Sequence, residues 1–169
     1  MAIDGHLLFS SNGNVILCYE TALPEIYSLS ENDFEDLHSA WFQALKSLPT
    51  GCVVHKQDVY QKKIYDSDQL SRSTFLEKAT HKHFKGREYL QHTSYLFFIL
   101  TKNRTHGKYV NPFKKISKTL PTTLDDAVRS FSAAVEDAVS YINNTRKIAL
   151  NPLTPNQIAQ LTNSSFNGF

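Results

Sequence analysis

The fold of this chain is organised around the segment LPTGCVVHKQDVY, residues 48–60. Pro49 and Gly51 end a preceding helical pattern, and the β-branched and aromatic residues that follow favour an extended backbone. Side chains of a strand alternate between its two faces, and neither face stays apolar toward the end of this segment. The segment therefore predicts a strand that begins in a core and runs out toward solvent or a partner surface.

The same segment carries the most distinctive polar cluster of the chain, His55, Lys56, Gln57 and Asp58. A catalytic base and the acid that orients it must share a face to hydrogen-bond. Strand alternation sends His55 and Asp58 to opposite faces, so direct pairing would need a bulge. We therefore predict that the cluster is a partner surface. A small hydrolase using His55 stays open as a further hypothesis.

The residues before this segment predict a β-hairpin and a helix. Asn12-Gly13 separates two strand-like runs, residues 3–10 and 15–22, and Asn-Gly is the strongest short-range hairpin signal. Ser30 is a suitable N-cap, and Asp33 can complete a short capping box. An apolar stripe at helical spacing then predicts the buried face of the helix. The stripe consists of Phe34, Leu37, Trp41, Leu45 and Leu48.

Three helices and a central strand are predicted after the segment. Residues 70–85 form a helical pattern, and residues 90–101 predict a strand whose apolar stretch is covered on both faces. Residues 124–147 keep one apolar face of a long helix, and Thr154 with Pro155 opens a short last one. The first of these helices is expected to turn its apolar side chains inward: Leu70, Phe75, Leu76, Ala79 and Phe84.

This order, ββαβαβα followed by a short helix, predicts one α+β domain with helices packed on a mixed sheet of four or more strands. The domain would span residues 1–150, with a short helix and tail at residues 151–169. A chain of 169 residues can bury a core without covalent staples. Its two cysteines, Cys18 and Cys52, make neither a disulfide framework nor a zinc site, so a reducing, cytoplasmic setting is expected.

Charges are segregated along the chain, although the net charge is only +2. No Lys or Arg precedes Lys46, whereas residues 46–118 hold fifteen Lys or Arg against five acidic residues. A long connection, residues 102–123, continues this basic character and offers aromatic rings for stacking. It has no recognised RNA-binding or helix-turn-helix motif, so a solvated loop, a protein contact and a nucleic-acid contact stay open. Its candidate contact residues are Lys102, Arg104, Lys108, Tyr109, Phe113, Lys114, Lys115 and Lys118.

Catalytic and metal sites find little support in the sequence. Gly107-Lys108 is followed by Tyr109 rather than Ser or Thr, so the chain has no P-loop. His81 and His83 are two apart on a predicted helix, whereas two metal ligands on one helical face need a spacing near four. We predict no catalytic residue, no metal and no cofactor in this chain. The longest strictly apolar run, residues 95–100, falls far short of the ~20 residues that span a bilayer.

Three runs of sequence are distinctive in combination: LPEIYSLS at residues 23–30, LHSAW at residues 37–41, and LP at residues 48–49 leading to VHKQD at residues 54–58. Together they resemble the amino-terminal domain of TraG-type conjugation ATPases of Bacteroides conjugative transposons, within the type IV secretion ATPases. The order of the predicted elements extends the resemblance over nearly the whole chain.

The resemblance implies a part of a larger machine. In that family the ATP-binding motifs lie in a later domain, so we expect a domain or fragment whose parent uses ATP and Mg at the inner face of the membrane. The chain itself would be a non-catalytic domain that docks the ATPase to channel components or neighbouring subunits during DNA transfer, reaching the membrane only through partners. The alternative function is a nucleic-acid-binding module that uses the connection from Lys102 to Lys118.

Overall fold

The computed structural model describes residues 2–66, 74–101 and 124–166. The predicted α+β class is confirmed, and the structure adds two short strands, β1 and β6, that the sequence patterns did not indicate. The elements in chain order are β1 (Ala2–Asp4), β2 (Leu7–Phe9), β3 (Val15–Ala22), a 3₁₀ turn (Ile26–Ser28), α1 (Glu31–Ser47), β4 (Cys52–Ile64), α2 (Phe75–Phe84), β5 (Glu88–Leu100), α3 (Leu124–Asn143), β6 (Ala149–Pro152) and α4 (Pro155–Phe166).

The strands form a single sheet in the order β1-β2-β3-β5-β4, and β6 pairs with the second half of β3. Every pairing among the described residues is antiparallel, whereas the sequence predicted a mixed sheet. The connection through α1 does join two parallel strands, β3 and β4. They do not become neighbours, because β5 inserts between them and runs antiparallel to both.

The hairpin predicted at Asn12-Gly13 is present. Phe9 pairs with Val15 across it, and the Gly13 N–H donates to the Ser10 carbonyl at 3.0 Å. Gly13 has a φ of +80°, which glycine adopts without the strain of a side chain. The first run of residues folds back once more at Gly5, so one predicted strand becomes the pair β1 and β2.

Helices cover both faces of the sheet and enclose two apolar clusters. On one face, α1 and α3 pack over Leu17 and Phe98, and Phe131 and Ile142 of α3 are almost fully buried. On the other face, Ile158 of α4 packs in a smaller cluster with Leu8, Cys18 and Leu153. Consecutive residues of β3 point into different clusters, as strand alternation requires.

The start of α1 follows the prediction. The Ser30 N–H donates to Asp33 Oδ2 at 2.8 Å, and the Asp33 N–H donates to Ser30 Oγ at 3.3 Å, which completes the capping box. Asp33 also accepts a hydrogen bond from Lys147 Nζ at 2.8 Å. The bond from Lys147, aided by those from Ser30, lowers the pKa of Asp33 to about 2. One carboxylate therefore caps α1 and ties it to the chain beyond α3.

The buried face of α1 differs from the predicted stripe. Leu37, Trp41 and Ala44 contact the core, whereas Phe34 and Leu45 are half exposed. At 100° per residue, Phe34 and Leu45 lie roughly 60–80° around the helix from Leu37. The buried face is therefore narrower than the predicted stripe and shifted toward Ala44, which lies roughly 20° beyond Leu37 on the side away from Phe34 and Leu45.

The long helix α3 ends at Asn143, four residues before the predicted end at Lys147. Asn143 Oδ1 accepts from the Leu150 N–H at 2.7 Å, and its Nδ2 donates to the Leu150 carbonyl at 3.3 Å. The Asn143 side-chain amide thus forms the two hydrogen bonds to the Leu150 main chain that the backbone of a neighbouring strand would otherwise form. Arg146, with a φ of +56°, turns the chain between the two elements.

Candidate interaction surface

A two-stranded β-arm projects from the sheet. β4 and β5 pair over their full length, from Cys52 opposite Leu100 to Ile64 opposite Glu88, whereas β3 pairs only with residues 94–100 of β5. The outer halves of the two strands, residues 59–64 and 88–93, are therefore paired with each other alone among the described strands. We call these residues the arm. At about 3.3 Å per residue it extends roughly 20 Å beyond β3.

Cross-strand contacts hold the arm together. The rings of Tyr60 and His92 stack with centroids 4.7 Å apart, and Lys62 Nζ lies 2.5 Å from Glu88 Oε2. Pairs of this kind are the unit of stabilisation in an antiparallel ribbon, which on its own is marginal in water. Beyond the arm the Tyr65 N–H donates to the Arg87 carbonyl at 2.8 Å, which carries the ladder toward α2.

Helix α2 sits at the tip of the arm and is anchored there by Tyr65. The Tyr65 ring stacks on His81 with centroids 5.8 Å apart and meets the edge of Phe84 at 6.2 Å. Its hydroxyl is hydrogen-bonded to His81 Nδ1. Thr74 caps the helix in a reciprocal box with Glu77. α2 is thus a well-capped helix that one aromatic residue attaches to the ribbon.

The prediction that α2 packs inward is wrong. Phe75 is 88% exposed, Leu76 is 74% exposed, and Phe84 and Ala79 are exposed as well. Leu70, which the prediction also placed inward, lies outside the described residues. An apolar helical pattern indicates that one face of the helix is to be covered, but it does not identify the surface that covers it. The long pairing of β4 with β5 carries this helix away from the core that the prediction assumed.

Exposed apolar side chains are concentrated at this end of the molecule. Among the described residues, seven of the fifteen large exposed apolar side chains belong to the arm and α2, and they are Tyr60, Ile64, Phe75, Leu76, Phe84, Tyr89 and Leu90. Scattered exposed apolar residues are ordinary, but a cluster on a projecting element marks an interaction site. This end also carries two lysines on α2, Lys78 and Lys82, which make no ion pair within the described part of the chain.

The predicted cluster at residues 55–58 lies where the arm leaves the sheet, and it is divided between the two faces as expected. On one face Asp58 is bonded to Lys56 and to His92, with 2.9 Å between Asp58 Oδ1 and His92 Nε2. Lys56, followed by His92, lowers the pKa of Asp58 well below its usual range. Ser94, opposite Asp58 in the register, contributes less, because its hydroxyl lacks hydrogen-bond geometry.

His55 lies on the other face, and the alternation that separates it from Asp58 is confirmed. Its ring is tilted against Phe97, with centroids 5.9 Å apart. Gln57 shares that face and is half-buried. The histidine that pairs with a carboxylate in this region is His92, which is bonded to Asp58. It was not among the candidate residues predicted from the sequence. Only the strand register, with His92 opposite Tyr60 and beside Asp58, could have revealed it.

A polar concavity of about 300 Å³ lies at the base of the arm, beside the end of β3. Thr21, Gln91 and Ser94 are among the residues that line it, and each has a buried side-chain oxygen without a hydrogen-bond partner among the described residues. His92 also lines it, but Asp58 already engages the imidazole. These hydroxyl and amide groups can form hydrogen bonds, and no pairing of a nucleophile with a base is seen among the described residues that line the concavity.

The eight candidate residues between Lys102 and Lys118 lie outside the described residues, so their contact with a partner or nucleic acid stays a prediction. Among residues 2–66, 74–101 and 124–166, no group of three or more His, Cys, Asp or Glu side chains is placed to hold a metal ion. In the same ranges, no helix is long and apolar enough to cross a bilayer.

The described residues define an α+β domain with an antiparallel sheet and a projecting, apolar-tipped arm. Residues 1–39, which hold β1, β2, β3 and the first half of α1, match a family model described as "Domain of unknown function, B. Theta Gene description (DUF3875)". No curated protein matches the chain. The opening part of the chain is thus similar to a Bacteroides gene family, in agreement with the Bacteroides part of the resemblance.

Proposed function

We propose that this chain is a non-catalytic interaction domain of a conjugative-transfer ATPase of the type IV secretion class. It docks the ATPase to channel components or to neighbouring subunits during DNA transfer. The observation that carries the proposal is the arm with α2 at its tip, where Phe75 and Leu76 are exposed on a helix that is capped and held in place. A helix built in this way and left uncovered presents a preformed face to a partner.

The sequence resemblance supports the choice of machine, and the family match over residues 1–39 supports the Bacteroides part of that resemblance alone. The chain works in the cytoplasm, and partners bring it to the inner face of the membrane. ATP and Mg belong to the full-length parent, since this chain has no P-loop. An ATP hydrolysis rate of the purified chain that survives controls for contaminating enzymes would contradict the non-catalytic part of the proposal.

Transfer of the conjugative element in the cell of origin tests the proposal directly. The gene is replaced by a double variant, Phe75→Ser with Leu76→Ser, which removes the exposed apolar tip and leaves the core untouched. We expect the transfer frequency to fall at least about tenfold at an unchanged protein level, because exposed aromatic anchors dominate interface energies.

The matched control is Leu23→Ser with Tyr141→Ser, two exposed apolar residues outside the arm. It should transfer at the wild-type frequency. If the element carrying Phe75→Ser with Leu76→Ser transferred at the wild-type frequency, the proposal would be wrong.

A titration with single-stranded DNA at two salt concentrations tests the alternative function. Binding that weakens steeply with salt and is lost on Lys114→Glu with Lys115→Glu would favour that alternative.

A further inference from the structure

The outward face of α2 is both apolar and basic. Tyr65 contacts α2 on the side of His81 and Phe84. At 100° per residue, Phe75, Ala79 and Lys82 lie roughly on the opposite side, with Lys78 and Leu76 flanking them. This spacing of i, i+4, i+7 is that of a helix that lays one face against another surface. The free face of α2 therefore carries three apolar side chains, Phe75, Leu76 and Ala79, with Lys82 next to Phe75 and Lys78 at the edge.

A second helix, α1, carries a complementary face. Its flank away from the core holds Phe34, Phe42 and Leu45, all of them exposed. Glu31 and Glu35 lie on the same flank, within roughly 100° of helix circumference, and both are exposed. Neither glutamate makes an ion pair within the described part of the chain. We call these five residues the α1 flank; it is apolar toward its C-terminal end and acidic toward its N-terminal end.

The two faces are compatible in length and opposite in charge. The free face of α2, from Phe75 to Lys82, spans about 11 Å and therefore fits within the α1 flank, which spans about 21 Å from Glu31 to Leu45. Within one chain the two faces do not cover each other, because the apolar residues of both are exposed. The arm also carries α2 beyond the end of β3, whereas α1 packs beside the sheet with α3.

We propose that the free face of α2 docks on the α1 flank of a second copy of this chain. This inference rests on the proposed function and names the neighbouring subunit as the partner of the arm. Exposed aromatic and aliphatic residues supply the apolar contact, and Lys78 and Lys82 meet Glu31 and Glu35 across it. Two helices of this length bury a small interface, so the association belongs to the weak class and depends on salt.

Sedimentation velocity over a range of protein concentrations tests the contact, with charge reversals on either side. Lys78→Glu with Lys82→Glu places acids against acids, and Glu31→Lys with Glu35→Lys places bases against bases. Each double variant should associate at least about tenfold more weakly than the wild type, because like charges opposed at an interface are strongly unfavourable. The chain that combines all four reversals restores opposite charges and should associate again.

The matched control is Arg129→Glu with Arg146→Glu, two exposed residues that belong to neither face, and it changes the net charge by the same amount as Lys78→Glu with Lys82→Glu. It should associate as the wild type does. Circular dichroism and the melting temperature show that every variant is folded. A wild-type chain that stays monomeric throughout, or double reversals without effect, or a folded fourfold variant that stays monomeric, would each overturn the inference.

The two proposals fail separately. If the wild-type chain does not self-associate but the Phe75 and Leu76 variant lowers transfer, the partner is another channel protein and the proposed function stands. If the chain self-associates through these faces but the same variant transfers normally, self-association stands and the role in transfer falls.

Discussion

Asp58 on β4 and His92 on β5 are 34 residues apart in sequence and share a hydrogen bond of 2.9 Å between Oδ1 and Nε2. The bond lies where the arm leaves the sheet: Asp58 is opposite Ser94, the last residue of β5 that pairs with β3, and His92 lies two positions further out. Lys56 engages the other carboxylate oxygen. Asp58 thus links both strands at the point where the three-stranded part of the sheet narrows to a ribbon of two.

This arrangement predicts a specific acid sensitivity. Because Lys56 and His92 hold the pKa of Asp58 below its value in the unfolded chain, the carboxylate stabilises the fold at neutral pH. That contribution is lost as the pH falls from about 4 through the folded-state pKa. The Asp58→Asn variant lacks it, so its melting temperature should decline less steeply below pH about 4 than that of the wild type.

Melting curves between neutral and acid pH measure the two slopes, and the carboxyl carbon shift of Asp58 gives its titration directly. Equal acid slopes for the two proteins, or titration of Asp58 at an ordinary pKa, would contradict the prediction. Glu88→Gln is a suitable control, because it removes a carboxylate from the arm without touching Asp58.

The anchoring of α2 by Tyr65 gives a second prediction. Tyr65→Ala removes the ring that stacks on His81 and meets Phe84, so the helix should lose its attachment while the core stays folded. Amide exchange across residues 75–84 should accelerate at least about tenfold, with β3 unchanged. Tyr65→Phe keeps the ring and loses only the hydroxyl bond to His81, so its effect should be smaller. Equal protection of α2 in all three proteins would rule out this anchor.

Local sequence signals predicted the hairpin and the start of α1 correctly, because these features depend on residues that are close together in the sequence. The hairpin at Asn12-Gly13 and the capping box of Ser30 and Asp33 depend on backbone geometry and near neighbours. Contacts distant in sequence were missed. The partner of Asp58 follows from the register of β4 with β5, which no local pattern of the sequence determines.

The α2 prediction failed for a related reason. Its apolar pattern was read as a core-facing stripe, but the full-length pairing of β4 with β5 holds the helix at the tip of the arm. The strand β6 was missed because four residues that include a proline give little strand signal, and Asn143 of a neighbouring helix supplies part of its pairing. The sequence therefore indicated the basic charge of this region and the apolar residues of α2, but it assigned those apolar residues to the core and not to an exposed surface.

The contrast between core and arm can be measured with two phenylalanines that the sequence placed in similar surroundings. Phe98 is almost fully buried, so Phe98→Ala should lower the free energy of unfolding by about 3–5 kcal/mol. Phe75 is almost fully exposed, so Phe75→Ala should change it by no more than about 0.5 kcal/mol. Denaturant titration of the two variants gives both values. A loss of several kcal/mol for Phe75→Ala would mean that α2 is part of the core.

The two cysteines should differ in reactivity. Cys18 is almost fully buried, and burial raises the pKa of its thiol to about 11, so only about one molecule in a thousand carries the thiolate at pH about 8. Burial raises the pKa of Cys52 as well, but its side chain is partly exposed. Iodoacetamide should therefore label Cys52 first, and Cys18 only when denaturant is added. Peptide mass spectrometry shows the order in which the two cysteines are labelled. Early labelling of Cys18 would contradict its burial among Leu8 and Ile158.

The ion pair between Asp33 and Lys147 should couple α1 to the segment that follows α3. Asp33→Asn keeps an oxygen that can accept the Ser30 N–H, so it removes the charge and spares most of the cap. Lys147→Met removes the partner and keeps the length of the side chain. In a double-mutant cycle at neutral pH, the two changes in the free energy of unfolding should be non-additive, because each variant breaks the same bond of 2.8 Å.

The bond from Lys147 is the main cause that lowers the pKa of Asp33 to about 2, so the coupling energy should decrease as the pH falls from about 4 to about 2. Additive effects at neutral pH would show that α1 is held on α3 by its apolar contacts alone.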